Sequence, residues 1–191
     1  MQPKPLLSIA TTGEQILTQI AEPVTVFDDA LHTLADNMLS TMLNANGVGI
    51  AATQVFSNAA MFIMASNPNE RYPDAPSMPP TVVINPQILS ASAATEADVE
   101  GCLSIPGQRL SIARHSEIEV QYQSLDGQLH QQTLTGFVAR IFQHELDHLN
   151  GITFIERLNN EDNAIDEQQW QKQQKVRKRN SAKLTIVDNK T

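Results

Sequence analysis

Two histidines and a glutamate between residues 143 and 148 have the spacing of a metal site on one helical turn. The segment reads Q-H-E-L-D-H, an H-E-x-x-H pattern in which His144 and His148 are four residues apart. On an α-helix both imidazoles leave the same face and can reach one metal ion. Glu145 projects nearby, where it can take a proton from metal-activated water without being a ligand. The pattern favours a metal-dependent hydrolase over a helix with two ordinary surface histidines.

A catalytic metal held by two histidines needs a third protein ligand. A histidine six residues after the second is excluded, because Phe154 occupies that position. A downstream glutamate, Glu161 or Glu167, would complete the site of a zinc peptidase. The other candidate is Cys102, the only cysteine, which lies in a turn-like stretch and is otherwise explained as a small buried apolar residue. A thiolate beside two imidazoles would leave a fourth position open for water.

Three short motifs in chain order resemble those of the peptide deformylase family. The first is the glycine-rich segment G-V-G-I-A-A-T-Q at 47–54, and the second is E-G-C-L-S at 100–104. The third is the histidine motif at 143–148. The resemblance covers residues 20 to 160 and departs at Ile50, where the family more often has leucine. That exchange conserves volume, so we expect it to be tolerated.

The resemblance implies a role for each matched position around the metal. Glu145 is implied as the general base and then the general acid. Gln54 and the backbone N–H of Leu103 are implied as hydrogen-bond donors to the oxyanion that forms during the reaction. The implied metal ligands are Cys102, His144 and His148.

The residues expected to contact substrate come from the first motif, from the strand after the second and from the helix before the third. The two glycines would let the first loop run close to the substrate, and the apolar side chains would wall a methionine pocket. An arginine matches a family position near the cleft. The expected substrate-binding residues are Gly47, Val48, Gly49, Arg109, Phe137 and Ile141.

Polar neighbours of the ligands are expected to orient them. Asp147 and Gln143 flank the histidines, and one of them would hold an imidazole or the loop that carries the cysteine. Glu100 is expected to pair with Arg109 or Arg114 and so hold that loop.

The activity implied by the resemblance is hydrolysis of the N-formyl group from the formylmethionine of nascent polypeptides, with release of formate. The metal implied in cells is Fe²⁺, in an oxygen-sensitive centre. A thiolate with two imidazoles also suits Zn²⁺, Ni²⁺ or Co²⁺, and the general affinity order disfavours Fe²⁺ relative to these.

The elements that must position these residues indicate an α+β fold. Asp28 or Asp29 would cap a first helix, and strands are predicted at 59–64, 82–84 and 117–123. Asp126-Gly127 predicts a hairpin turn towards residues 129–133. The fold is therefore expected to place short antiparallel sheets around a central H-E-x-x-H helix. A polar C-terminal helix is predicted at 166–178. The predicted division is a metallohydrolase domain at 1–165 and a basic helix and tail at 166–191.

Composition and charge narrow the setting in which the chain would act. It has 191 residues, of which 41% are hydrophobic, and no apolar run long enough for a membrane span. One cysteine and no export signal predict a cytoplasmic protein without membrane or DNA partners. The net charge is −8, yet residues 172–183 carry six basic side chains and no acid. This segment is either a solvated tail or a contact with ribosomal RNA.

Overall fold

The computed structural model describes residues 5–68, 72, 75–157, 164–166 and 168–173. Within these residues the strands form two antiparallel sheets, one of five strands and one of three. The five-stranded sheet has the order β1-β2-β3-β6-β7, from Gly49–Ala51, Met61–Ser66, Met78–Ala91, Glu117–Gln123 and Leu129–Thr135. The three-stranded sheet has the order β4-β5-β8, from Thr95–Cys102, Ile105–His115 and Ala164–Asp166. The predicted α+β architecture is confirmed.

Helix α1, Asp29–Asn44, begins where the sequence indicates. The side chain of Asp28 accepts a hydrogen bond from the backbone N–H of Leu31 at 3.0 Å, which caps the first turn. Its apolar residues recur at helical spacing, and Met38 and Met42 are completely buried against β1 and β2. The helix therefore fixes the start of the glycine-rich loop that follows it.

Helix α2, Gly136–Leu149, carries the histidine motif and lies in the core. Phe142 packs edge-on against Phe62 of β2, with ring centroids 5.1 Å apart. The helix stops where Gly151 adopts φ +69°, as predicted, and a side chain there would meet the carbonyl oxygen of Thr18 at 2.6 Å. Because α2 is held at both ends and along its buried face, its ligand side chains have a rigid support.

The hairpin of β4 and β5 was not predicted from the sequence. Residues 95–98 of β4 are all exposed, so they show none of the apolar alternation that indicates a strand. The two strands nevertheless pair continuously from Thr95↔His115 to Gly101↔Arg109, and they end in a tight turn in which Cys102 is paired with Ile105. The cysteine motif therefore lies at the tip of a hairpin.

The predicted C-terminal helix begins within the described residues, where 168–173 are helical, which we label α3. The rest of the predicted helix, to residue 178, lies outside them. Strand β8 contains residue 165, where the predicted metallohydrolase domain ends, and it pairs with β5. The division into a domain and a tail at this residue stays a prediction. In the part of the chain that the structure describes, none of the helices is both long enough and apolar enough to cross a bilayer.

Candidate active site

A cleft lies where the glycine-rich loop, the tip of the β4–β5 hairpin and one face of α2 meet. Most of the residues predicted to act on substrate or metal line it. From the first two segments these are Gly47, Val48, Gly49, Gln54, Cys102 and Leu103. From α2 they are Phe137, Ile141, His144 and Glu145. The structure thus brings together three motifs that are far apart in sequence.

Cys102, His144 and His148 form a group that could hold a metal ion. One potential ligand atom of each lies within 4.8 Å of the others, and the three residues as a whole are at most 9% exposed. The Sγ of Cys102 is 3.2 Å from Nε2 of His148. The two imidazoles leave the same face of α2, with ring centroids 5.1 Å apart.

The peptidase alternative required a glutamate at position 161 or 167. Glu161 and Glu167 both lie outside the described residues. Cys102 supplies the third ligand atom of the group that the structure does describe.

Glu100 orients one of these imidazoles. Its Oε2 lies 2.8 Å from Nδ1 of His144, which leaves Nε2 of that ring as the nitrogen available to a metal. Glu100 is buried and also accepts hydrogen bonds from Arg114, at 2.9 Å, and from Arg140, at 2.8 Å. The expected pairing of Glu100 with Arg114 is confirmed. Burial would raise the pKa of Glu100, but His144 and Arg114 outweigh it and hold that pKa far below its ordinary value.

Asp147 and Gln143 hold the surrounding frame. Asp147 pairs with Arg114 and with Arg157. Gln143 donates to the backbone carbonyl of His115 at 2.9 Å and accepts from its N–H at 3.1 Å. Asp147 is thus linked through Arg114 to Glu100, next to the cysteine motif, while the imidazole of His144 is oriented by Glu100.

The pKa of the Cys102 thiol is lowered by its surroundings. Burial alone would raise its pKa, but the positive character of His148 and hydrogen bonds from both histidines outweigh it and lower the pKa to about 5. The residue is therefore a thiolate at neutral pH, which is the form that binds metals.

Glu145 is a buried carboxyl group next to the potential ligands. Burial raises its pKa to about 7, well above the ordinary value of a carboxyl group. Its Oε2 is buried and has no hydrogen-bond partner among the described residues. A buried carboxylate oxygen without a partner is costly in a structural role, so its presence points to a bound group or to chemistry.

The glycine-rich loop passes directly over this carboxylate. A β-carbon built at Gly49 would lie 2.1 Å from Oε1 of Glu145, so any side chain at residue 49 would displace this carboxylate. At Gly47 a β-carbon would lie 3.1 Å from Cδ1 of Leu103, a tighter contact than usual with a movable side chain. The loop can therefore approach both the carboxylate and the hairpin tip closely.

Gln54 directs its amide nitrogen into the site. Its Oε1 accepts a hydrogen bond from the N–H of Ala51 at 2.9 Å, which fixes the orientation of the amide. Its Nε2 donates to Oγ of Ser104 at 3.0 Å and lies 3.5 Å from the Sγ of Cys102. The side chain is almost fully buried, on the short 3₁₀ helix Ala52–Val55. A donor is thus held in a fixed position beside the cysteine.

Arg109 is fully buried behind the hairpin tip rather than exposed in the cleft. Its guanidinium lies against Gly101 and contacts the rings of Tyr72 and Trp170. Its expected contact with substrate stays a prediction.

The sequence analysis does not single out three residues that line the cleft, Arg140, Tyr72 and Val99. Arg140 stands four residues before His144, so its place on the ligand face of α2 could have been predicted. Tyr72 is in the proline-rich stretch between β2 and β3, whose path no local pattern indicates.

The geometry defines a class of site: an H-E-x-x-H helix, a cysteine from a hairpin tip and a buried carboxylate meeting at one cleft. The family model for polypeptide deformylases matches residues 6–164. The chain belongs to the polypeptide deformylase family.

Individual relatives are similar over most of their own length. The chain is 59% identical to peptide deformylase 2 of Shewanella oneidensis over 155 residues, which cover 81% of this chain and 86% of that protein. It is 48% identical to peptide deformylase 2 of Nostoc sp., over 87% of this chain and 93% of that protein. A Met-Ala-Ser-bound crystal structure of class I type b peptide deformylase from Acinetobacter baumannii superimposes with a TM-score of 0.80. The two chains share 47% identity over 81% of this chain and 99% of that one.

Proposed function

We propose that this chain is a peptide deformylase that hydrolyses the N-formyl group of N-terminal formylmethionine on nascent polypeptides. Water adds to the formyl carbon, the carbon–nitrogen bond breaks, and the products are formate and a free α-amine. The proposal depends on one observation about Glu145. This buried carboxylate lies beside a cysteine and two histidines, and its Oε2 has no hydrogen-bond partner among the described residues. The family match supports the same reaction.

The residues present fit one divalent metal ion. Cys102, His144 and His148 would hold it, and the donor set of one thiolate and two imidazoles suits Fe²⁺, Zn²⁺, Ni²⁺ or Co²⁺. We propose Fe²⁺ in cells. When bound, the metal would act as a Lewis acid that lowers the pKa of water towards about 7 and polarises the formyl carbonyl.

Glu145 moves the proton in this proposal. Its carboxylate takes a proton from the attacking water and delivers it to the nitrogen of the leaving amine. The raised pKa supports both steps, because a group with a pKa of about 7 gains and loses a proton readily near neutral pH. Gly49 leaves room for the carboxylate to reach both oxygen and nitrogen.

Gln54 and Leu103 would stabilise the oxyanion that develops when water adds to the carbonyl. The amide nitrogen of Gln54 is held beside Cys102, and the backbone N–H of Leu103 follows that cysteine directly at the hairpin tip. Fixed donors placed where charge develops are effective because they need no reorganisation during the reaction. Loss of one such donor typically raises the barrier by about 2.7–4 kcal/mol.

The methionine side chain would occupy the apolar part of the cleft. Val48, Phe137 and Ile141 line it, and Gly47 and Gly49 let the peptide pass close to the loop. A formyl group carries only hydrogen on its carbonyl carbon, so a tight site excludes bulkier acyl groups by steric contact. Arg109 would act near the same cleft, as the family resemblance implies.

The proposed setting is the cytoplasm, with nascent chains as substrates. The six basic residues at 172–183 would contact ribosomal RNA; of these Lys172 is described and is exposed. Replacing all six by glutamine should weaken co-sedimentation with ribosomes and flatten its dependence on salt, and unchanged binding would contradict this contact. Formate release from a formyl-methionyl peptide tests the activity itself.

A further inference from the structure

Trp170 of α3 packs against an arginine that supports the cleft. The Cζ of Arg109 lies 3.7 Å from the centroid of the Trp170 ring, within the range of a cation–π contact. Both side chains are buried, so this contact is largely desolvated and correspondingly strong. Trp170 also lies beyond residues 6–164, which the family model matches.

Two backbone features place Trp170 next to Arg109. Strand β8 pairs with β5 in a register that sets Ile165 opposite Arg109 and Asp166 opposite Gln108. The side chain of Asp166 then accepts hydrogen bonds from the backbone N–H groups of residues 168 and 169, at 2.9 and 3.1 Å, and so starts α3. The tryptophan is therefore held on the arginine by a paired strand and a capped helix.

Tyr72 connects this contact to the cleft. The Nη1 of Arg109 donates to Oη of Tyr72 at 3.0 Å, and the Tyr72 and Trp170 rings lie 5.8 Å apart. On its other side Tyr72 packs against Phe137, with ring centroids 5.1 Å apart, and lines the cleft. Tyr72 thus contacts Arg109 and Trp170 on one side and lines the cleft on the other.

The three apolar residues of this wall differ in depth. Ile141 is buried, whereas Phe137, one turn earlier on α2, is half-buried, and Tyr72 beyond it is also half-buried. Ile141 is the least exposed of the three, so Phe137 and Tyr72 form the part of this wall that reaches solvent. A peptide whose formyl group is at the ligands and whose methionine side chain is at Ile141 would pass Tyr72 with its later residues.

We propose that Trp170 is a positioning residue that, through the buried Arg109, holds Tyr72 in place as part of the cleft wall, and so sets affinity for the peptide residues after formylmethionine. The inference rests on the proposed function and deepens it. Trp170 does not touch the substrate; it acts through the tyrosine. The C-terminal segment thereby contributes to substrate recognition from outside the matched family region.

The test compares formyl-Met-Ala-Ser with formyl-methionine amide, which lacks the later residues. Trp170→Ala should raise KM for the longer peptide by up to about thirtyfold, the fold-change that corresponds to a desolvated cation–π contact. kcat should stay within about twofold of wild type, since the reacting groups are untouched. KM for the amide should not change, and Trp170→Phe should restore most of the affinity. Gln169→Ala, at an exposed neighbour on the same helix, is the matched control.

A second variant tests whether the tryptophan acts through the tyrosine. Tyr72→Ala should raise KM to a similar extent, and the double variant should be no worse than either single one. Unchanged KM in Trp170→Ala, additive effects in the double variant, or equal losses with both substrates would overturn the inference. So would a parallel fall of kcat and metal content that Trp170→Phe does not rescue. A wild-type chain that releases no formate contradicts the proposed function instead.

Discussion

Oε1 of Glu145 occupies the space that a β-carbon would take at Gly49, at a distance of 2.1 Å. The loop and the carboxylate can lie together only because residue 49 has no side chain. The carboxylate belongs to the central helix, which is packed in the core and cannot yield by a whole ångström. The side chain of Glu145 would therefore have to move if residue 49 were larger.

Gly49→Ala should lower kcat/KM by about a hundredfold, the loss that a displacement of about 1 Å causes in a positioned catalytic group. Metal content should stay at the wild-type level, because the side-chain atoms nearest to the added β-carbon belong to Glu145 and not to a proposed ligand. Gly47→Ala is the graded comparison, since its β-carbon would meet side-chain atoms of Leu103 and Met42 at 3.1 and 3.2 Å and the carbonyl oxygen of Gly49 at an ordinary 3.4 Å. Steady-state kinetics with elemental analysis checks both variants, and equal losses would argue against the steric explanation.

Glu145→Gln should lower kcat by about 10²–10⁴-fold, the usual contribution of a general acid–base group. Glutamine keeps the size of the side chain but cannot accept the proton from water. The variant should still bind metal, because Glu145 is not among the ligands. Glu117→Gln, at an exposed strand position, is the control and should behave as wild type. A fully active Glu145→Gln enzyme would remove this residue from the chemistry.

Cys102→Ser should lose metal affinity by more than the roughly 10–100-fold that loss of an outer-shell partner costs. A serine hydroxyl stays protonated near neutral pH, whereas the thiol of Cys102 has a pKa of about 5 and supplies a negative charge. Cys102→Asp should retain more metal than the serine variant, because a carboxylate is also an anionic ligand. Metal titration of the metal-free proteins gives the ranking. Near-normal affinity and activity in Cys102→Ser would exclude the cysteine as a ligand.

Glu100→Gln should weaken metal binding by about 10–100-fold, since His144 loses the carboxylate that orients it. It should also lower the free energy of unfolding by up to about 3–5 kcal/mol, because the buried guanidinium groups of Arg114 and Arg140 lose the carboxylate that they share, although Arg114 keeps Asp147. Glu96→Gln on the same strand is the matched control, since that side chain is exposed. Denaturant unfolding and metal titration report the two effects separately. Wild-type values for both would show that the carboxylate has no orienting role.

The sequence predicts the residues of the site more fully than it predicts the strands and contacts that hold them. The H-E-x-x-H spacing and the apolar period predict α2 and place His144 and His148 on one face without any long-range information. Asp28 likewise predicts the start of α1 through a local hydrogen bond. These features depend on neighbours in sequence, so they can be read from it directly.

Other features depend on strand pairing between distant residues. β4 is exposed along its first half, so its polar sequence does not indicate a strand. The contact of Glu100 with His144 follows from how that strand crosses α2, which the flanking positions of Asp147 and Gln143 could not show. The packing of Trp170 on Arg109 depends on the register of β8, and no local pattern encodes it.

The most direct test is formate release from formyl-Met-Ala-Ser by protein purified anaerobically, with acetyl-Met-Ala-Ser as the matched substrate. We expect formate from the formyl peptide, no acetate from the acetyl peptide, and loss of activity on metal removal with recovery when Fe²⁺ is restored. Elemental analysis of the same sample establishes that the metal is present. A metal-loaded protein that leaves the formyl peptide intact would contradict the proposed deformylase activity.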